Sequence, residues 1–344
     1  MALAVFGLCL TIWALGRSLR WSKARVWGLI SVIYLGALAA QFAHPEGTPA
    51  PWAILGGLAV IVWGYGVGLS RLKARAAPQA APAPQGTFGA TELERYARHI
   101  VLRELGGPGQ KKLKNAKVLV IGAGGLGSPV LMYLAAAGVG TIGVIDDDLV
   151  DHSNLQRQVI HRDDAIGTPK VHSAAEAMRA LNPYVHLRPY QRRLTGTLAA
   201  ELFAEYDVII DGTDNFATRY LSNAAAVALK KPLVSGALAQ WEGQLSVFDP
   251  ARGGPCYQCI FPQAPAEGLA PSCSEAGVVA PLPGIIGSMM ALETVKLITG
   301  AGHILRGEML IYDGLYGESR KIKLAPRDGC PLCQPLKGSK KETP

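Results

Sequence analysis

Residues 117–130 read KVLVIGAGGLGSPV. Val118 to Ile121 are aliphatic and mostly β-branched, the pattern of a buried strand. Gly122, Gly124 and Gly127 stand at G-x-G-x-x-G spacing with Gly125 between them, and a helix is expected from Leu126 onward. A strand, a tight turn and a helix N-terminus in this order bind phosphate. Glycines let the backbone approach an anion, and the helix end supplies roughly half a positive charge. Asp146 ends the next strand, TIGVIDDD (141–148), where an acid can hold ribose hydroxyls. Taken alone, the turn fits a nicotinamide or flavin dinucleotide as well as a mononucleotide.

The residues that follow favour a triphosphate. Asn154, Arg157 and Gln158 (NLQRQ, 154–158) come directly after the second strand, and Lys170 opens the next helix in TPKVHSAAEAMRAL (168–181). A dinucleotide needs little beyond glycines and a helix end, whereas a triphosphate commonly recruits Arg, Lys and a metal. Asp214, in DVIIDGTDN (207–215), falls at the C-terminal end of a later strand, where open α/β sheets place their ligands. One aspartate there, with phosphate oxygens and water, is a usual Mg²⁺ arrangement. Each of these residues read singly is a solvated loop charge; together they fall on one sheet edge. Asp147, Asp148 and Asp151 read as loop and capping residues.

Six cysteines are present. Four form two C-x-x-C pairs, Cys256/Cys259 and Cys330/Cys333, with Pro and Gly beside them. Disulfides or a redox pair are open alternatives, but paired knuckles point to a closed, structural Cys₄ zinc site that pins the C-terminal tail to the body. Cys273 lies in QAPAEGLAPSCSEAG (263–277), too rich in Pro, Ala and Gly for regular structure, and Cys9 sits in an apolar helix as a packing residue.

The strings RYARHI, GAGGLGSP, NLQRQVIH, GTPKV, DGTDN, PLVSGA, EGQLSVF, CYQC, EAGVVAPLPGIIGS and CPLC occur in one order from about Glu94 to Cys333, roughly 240 residues. In this the chain resembles the sulfur-carrier adenylyltransferases of molybdopterin and thiazole synthesis, relatives of ubiquitin-activating enzymes. The resemblance implies ATP-dependent adenylylation of the C-terminal glycine of a small ubiquitin-like sulfur carrier ending in Gly-Gly. By the same resemblance Asp146 holds the ribose, Arg157 and Lys170 the phosphates, and Asp214 the Mg²⁺. Arg98 matches an arginine that reaches ATP from the other subunit of a homodimer. Cys273 matches a crossing-loop cysteine that carries a covalent carrier adduct in some members and is dispensable in others. No rhodanese-like segment follows Cys333, so a separate sulfur donor is expected.

The expected chemistry agrees with the inventory. A carboxylate is already ionised at neutral pH, so no general base is required. Catalysis is then positioning and neutralisation of phosphate charge, which explains why no Ser-His-Asp set or carboxylate pair is evident.

Residues 1–75 depart from the family pattern. ALAVFGLCLTIWALG (2–16), VWGLISVIYLGALAAQFA (26–43) and WAILGGLAVIVWGYGVGL (52–69) are apolar, and the latter two approach membrane-spanning length. The first is shorter. A signal peptide is its alternative reading, but it lacks a basic leading segment and is followed by RSLRWSKAR. Buried soluble helices are a further alternative for all three. Two to three transmembrane helices over 1–75 are therefore expected, then an Ala/Pro linker over 76–90 and the adenylyltransferase domain over 91–344. Basic flanks at 17–25 and 71–75, against an acidic connection near Glu46, put the enzyme on the cytoplasmic side of a multi-pass membrane anchor. Of the +8 formal charge, residues 1–90 carry seven Lys/Arg against one acid and the remainder 27 against 25. The basic balance is a membrane-flank effect, not a nucleic-acid footprint. GIIGSMMALETVKLITG (284–300) carries Glu293 and Lys296 and is expected as a core helix of the soluble part.

Beyond a leading helix near Glu92 to Leu102, strand and helix alternate through Lys230, with strands expected at 117, 141, 186 and 206. PLVSGALA, GQLSVFD, MLIYDG and RKIKLA follow as strand neighbours without helices between all of them. The expected fold is α/β: a Rossmann-like, largely parallel sheet with an antiparallel extension and the Cys₄ site, preceded by transmembrane helices. Two other functions stay open at this point, a non-catalytic nucleotide-binding scaffold and an NAD-dependent oxidoreductase. Neither calls for Lys170 and Asp214.

Overall fold

The computed structural model describes residues 2–18, 23–44, 47–76, 88–266 and 276–334. The linker at 77–87 and Cys273 fall outside the described residues. The chain divides into two units, Met1–Ala81 and Pro82–Pro344.

The first unit is three helices, α1 (Ala2–Ser18), α2 (Lys23–Ala43) and α3 (Pro49–Ala76). Arg25–Ala43 and Pro49–Gly66 are long and apolar enough to cross a membrane. At 1.5 Å per residue, 19 helical residues span about 28 Å, close to a bilayer core. The α1 helix has 17 residues and sits at the short end of that range. Their large apolar side chains point outward: Trp27, Phe42 and Trp63 are 62%, 69% and 71% exposed. Tyr34 of α2 stacks beside Trp52 of α3 with ring centroids 6.0 Å apart, over Gly56, where a Cβ would meet its hydroxyl.

The second unit is built on an eight-stranded sheet in the order β3-β2-β1-β4-β5-β6-β7-β8. Its elements are α4 (Ala90–Arg95), α5 (Ala97–Ile100), α6 (Gly106–Asn115), β1 (Lys117–Ile121), α7 (Gly127–Ala137), β2 (Thr141–Ile145), α8 (Lys170–Leu181) and β3 (His186–Tyr190). They continue with α9 (Gly196–Ala204), β4 (Val208–Asp211), α10 (Phe216–Ala228), β5 (Leu233–Ala239), β6 (Glu242–Phe248), α11 (Tyr257–Ile260), α12 (Pro281–Thr299), β7 (Glu308–Asp313) and β8 (Glu318–Lys323). The first five strands are parallel and the last three pairings antiparallel, as alternating and then adjacent strands require.

The strand period places the two cores. Val118 and Val120 of β1 face α7, α8 and α12, while Leu119 and Ile121 face α9 and α10. Both faces are covered, which is why Val118 to Ile121 read as an unbroken apolar run. Gly143 of β2 is required by close approach, because a Cβ there would meet the Tyr206 hydroxyl at 2.2 Å. The α12 helix is also long and apolar, but half of it is buried within this unit. Its Glu293 accepts the Leu305 amide at 2.9 Å and pairs with Lys296, so it is a core helix.

The leading helix expected over Glu92 to Leu102 is broken. Tyr96 caps both α4 and α5. Its ring is buried and its hydroxyl accepts Asn182 Nδ2 at 2.8 Å, so tertiary contact overrides helical continuity. A buried Lys114–Glu92 pair at 2.7 Å ties α4 to α6.

Candidate active site

The glycine turn stands where β1 lies between β2 and β4, the switch in sheet order at which such folds bind ligands. Gly122 has φ +93, and its amide takes the Ile145 carbonyl at 2.9 Å. Gly127 opens α7 directly against the turn. A Cβ at Gly127 would stand 2.0 Å from the Gly122 carbonyl oxygen, so alanine cannot enter without moving the backbone of the turn. Gly124 and Gly125 line a cleft of about 1050 Å³ with Asp146, Arg157, Lys170 and Asp214. The predicted nucleotide residues are thus brought together, with Gln158 beside Gly124.

The turn is held from two sides. Asp146 Oδ2 accepts the Ala123 amide at 2.7 Å and its Oδ1 the Asp148 amide at 2.9 Å. Burial pushes this carboxyl above its ordinary range, partly offset by those two amides. His161 Nε2 meets the Ala123 carbonyl at 2.9 Å and its Nδ1 meets Ser173 Oγ at 2.9 Å. A carbonyl can only accept, so Nε2 donates and Nδ1 accepts from Ser173. Burial lowers the pKa of His161, which keeps it in that neutral form. Both the amide and the carbonyl of Ala123 are therefore fixed, and His161 had no role in the sequence reading.

The cations are differently held. Arg157 donates to Asn154 Oδ1 at 2.8 Å, so Asn154 orients the arginine; it is not among the residues lining the cleft. Lys170 is 4% exposed and pairs with Asp148 at 2.7 Å. Asp148 lies in the loop after β2, as expected, and is in addition the counter-ion of Lys170. Asp151 does cap, accepting the Ser153 amide at 2.8 Å. Gln158 is buried, and its Oε1 has no partner among the described residues, a polar atom left at the cleft wall.

Asp214 is exposed on the loop between β4 and α10. No hydrogen bond or ion pair engages its carboxylate among the described residues. An unengaged carboxylate lining the cleft fits a hard cation that keeps most of its water. Tyr257 and Phe261 close the far side, and burial raises the Tyr257 hydroxyl to about 12. Arg192 and Arg193, after β3, also line the cleft and were not anticipated; they stand beside a loop whose course a sequence does not reveal. Arg98 lies exposed on α5 and is not among the lining residues. Arg219, buried beneath the Asp214 loop, was likewise missed.

Cys256, Cys259, Cys330 and Cys333 converge on one buried point. Cys256 Sγ lies 3.8 Å from Cys259 Sγ and 3.7 Å from Cys330 Sγ, and Cys259 Sγ lies 3.4 Å from Cys333 Sγ. Four thiolates around a metal at about 2.3 Å stand roughly 3.8 Å apart, so the set can hold such an ion. Burial and the neighbouring Cys259 push the Cys256 thiol up to about 11. At Cys330 burial is outweighed by the amides of Cys333 and Leu332, which bring it down to about 6. The cysteines are unpaired thiols, not disulfides.

The ThiF family profile matches residues 96–332. The sulfur carrier protein adenylyltransferase of Thermus thermophilus is 48% identical over 246 residues, covering 70% of this chain and 91% of that protein. The probable adenylyltransferase/sulfurtransferase MoeZ of Mycobacterium tuberculosis is 50% identical over 244 residues, and the match spans 62% of its length. Among solved structures, E. coli MccB with ATP superposes with TM-score 0.63 at 22% identity, covering 73% of this chain and 76% of that one, a likeness of fold. The glycine turn, the Arg-Lys-Asp set around one cleft and the paired cysteines are therefore carried on a chain that matches the profile over most of its length, and it belongs to the ThiF family.

Proposed function

We propose that this protein adenylylates the C-terminal carboxylate of a small sulfur-carrier protein with ATP, releasing pyrophosphate. The observation that carries this is the single cleft in which the glycine turn, Arg157, Lys170 and Asp214 meet. The names of the relatives at about half identity support the same activity. An NAD-dependent oxidoreductase or a passive scaffold leaves the unengaged Asp214 without purpose.

In this reading Asp146 holds the ribose and the turn together, the amides of the turn cradle phosphate, and Arg157 and Lys170 neutralise it. Lys170 leaves Asp148 for phosphate when nucleotide enters. Asp214 holds Mg²⁺, which when bound offsets charge on the phosphate oxygens and leaving pyrophosphate. The carrier's carboxylate attacks the α-phosphorus as an anion, so the chain positions reactants and removes no proton. The four cysteines hold a structural Zn²⁺ with no open position. In this reading the partner is a small carrier ending in Gly-Gly. The test is exchange of labelled pyrophosphate into ATP: it should require both Mg²⁺ and such a carrier. Exchange independent of any carrier would refute the assignment.

A homodimer in which Arg98 completes the partner's site accounts for an arginine in RYARHI that stays outside its own chain's cleft. Mixed Arg98→Ala and Asp214→Ala chains should then recover part of the activity, since one hybrid site keeps both groups; verified heterodimers without recovery would count against sharing.

The helices of residues 1–75 serve in this reading as a membrane anchor, with the enzyme in the cytoplasm. The support is their length and apolarity, their outward-facing Trp, Phe and Leu side chains, and the basic flanks. The cytoplasm supplies ATP and keeps zinc thiols reduced. A reporter fused after Arg75 should be active only as a cytoplasmic type and one inserted near Gly47 only as an external type; the opposite pattern would defeat the topology.

A further inference from the structure

The loop that carries Asp214 is fixed on both sides while the aspartate itself is left unengaged. Asp211, at the end of β4, is 1% exposed. Its Oδ1 accepts the Thr213 amide at 3.0 Å and the Thr213 hydroxyl at 2.6 Å. On the other side, Asn215 caps α10 by accepting the Thr218 amide at 2.9 Å. The Thr213 carbonyl is taken by Arg219, which also donates to the Gly236 carbonyl at 2.8 Å and to Ser235 Oγ at 3.3 Å. Every polar group of Thr213 is thus engaged, and so is the Asn215 side-chain oxygen. Asp214 stands between them.

Arg219 is 6% exposed and forms no ion pair among the described residues. A buried cation held only by carbonyls and a hydroxyl is costly, and a loop-to-strand link alone does not call for a charge. A guanidinium can, however, hold two carbonyls at once in a fixed plane, which a lysine cannot. The two carbonyls belong to the Asp214 loop and to β5, whose next residues, Ala237, Leu238 and Ala239, form the opposite wall of the cleft.

We propose that Arg219 is a positioning residue for the metal half of the site: by joining the Thr213 carbonyl to β5 it sets the place of the Asp214 carboxylate relative to the cleft wall. This rests on the reading of Asp214 as the metal-holding residue. Arg219 also lines the cleft, but its hydrogen bonds go to the Thr213 and Gly236 carbonyls and to Ser235 Oγ, so it acts through the backbone.

The test uses the full-length protein in detergent, with Mn²⁺ titrated into its complex with an ATP analogue that carries a methylene between the α- and β-phosphates. Bound Mn²⁺ is read by electron paramagnetic resonance. Losing a residue that orients a metal ligand costs about 10–100-fold in metal affinity, and Arg219→Gln is expected to weaken Mn²⁺ in that range. Affinity for the analogue in EDTA should be nearly unchanged. Arg219→Lys, which keeps donors for the carbonyls but not the planar fork, should fall between. Arg219→Gln placed on Asp214→Ala should add nothing.

Wild-type Mn²⁺ affinity in Arg219→Gln, or equal loss of analogue affinity with and without metal, would overturn the proposal. If Asp214→Ala leaves Mn²⁺ binding unchanged, the metal role of Asp214 fails and the proposal falls with it. If only the Arg219 variants are silent, the metal role stands and the positioning role is lost. Should Arg219→Gln not fold, judged by melting and zinc content, Arg219→Lys carries the test, and unchanged Mn²⁺ affinity there is the contrary result.

Discussion

Asp214→Ala is expected to reduce pyrophosphate exchange by on the order of 10²-fold or more, the cost of removing one preorganised group that meets developing charge. Arg157→Ala should do the same. In the proposed reaction the two would act on one phosphate chain; both line the cleft, Arg157 after β2 and Asp214 after β4. Folding should be little affected, because the Asp214 carboxylate is exposed and unengaged and Arg157 is only half-buried. Loss of activity with an unchanged melting temperature is the signature to seek. The partners predict a finer difference. Arg157 is braced by Asn154 at 2.8 Å, so Asn154→Ala should weaken nucleotide affinity more mildly than loss of the arginine itself. Exchange at wild-type rates in either Asp214→Ala or Arg157→Ala, across a panel of carriers, would remove the basis for the proposed chemistry.

Loss of the four-cysteine centre should have the largest effect on stability. Cys256 caps α11 and Cys259 lies within it, while Cys330 and Cys333 lie beyond β8, so one ion would close a long loop of chain. Val227, Ile260 and Leu332 pack around the thiols, a small apolar shell that offers little cohesion once four sulfurs lose their common partner. Binding energy at a structural zinc is folding energy. Loss of several kcal/mol in a unit of this size lowers the melting temperature on the order of 10 °C. Cys330→Ser or exhaustive chelation should produce that fall, with one zinc lost per chain. A folded, active protein with no zinc by elemental analysis would refute the assignment.

Much of this was legible in the sequence, for physical reasons that also mark the limits. β1 could be read because burial on both faces leaves Val118 to Ile121 without a polar residue, and the turn after it because Gly122 and Gly127 occupy positions no other residue fits. The antiparallel extension followed from strands that come without helices between them. The cysteine pairs were legible because two thiols three residues apart can share one ion. What escaped were the residues whose roles depend on a partner distant in the chain. His161 reads as one more polar residue in NLQRQVIH until the fold sets it under the Ala123 carbonyl, 38 positions away. Arg219 reads as a solvated charge of a helix, although the turn into α10 drives it inward to the Gly236 carbonyl. Asp148 reads as one of three adjacent acids, and only the approach of α8 picks it out as the partner of Lys170. The break at Tyr96 has the same origin, an aromatic ring whose anchor, Asn182, lies in another part of the sequence.

The most direct measurement is the intact mass of the carrier after incubation with this protein, ATP and Mg²⁺. A carrier ending in Gly-Gly should gain one AMP through its C-terminal carboxylate, with one pyrophosphate released for each adduct, and Asp214→Ala should form almost none. Binding of ATP with no adduct on any carrier of a broad panel, or preferential binding of NAD over ATP with Mg²⁺, would contradict the proposed reaction.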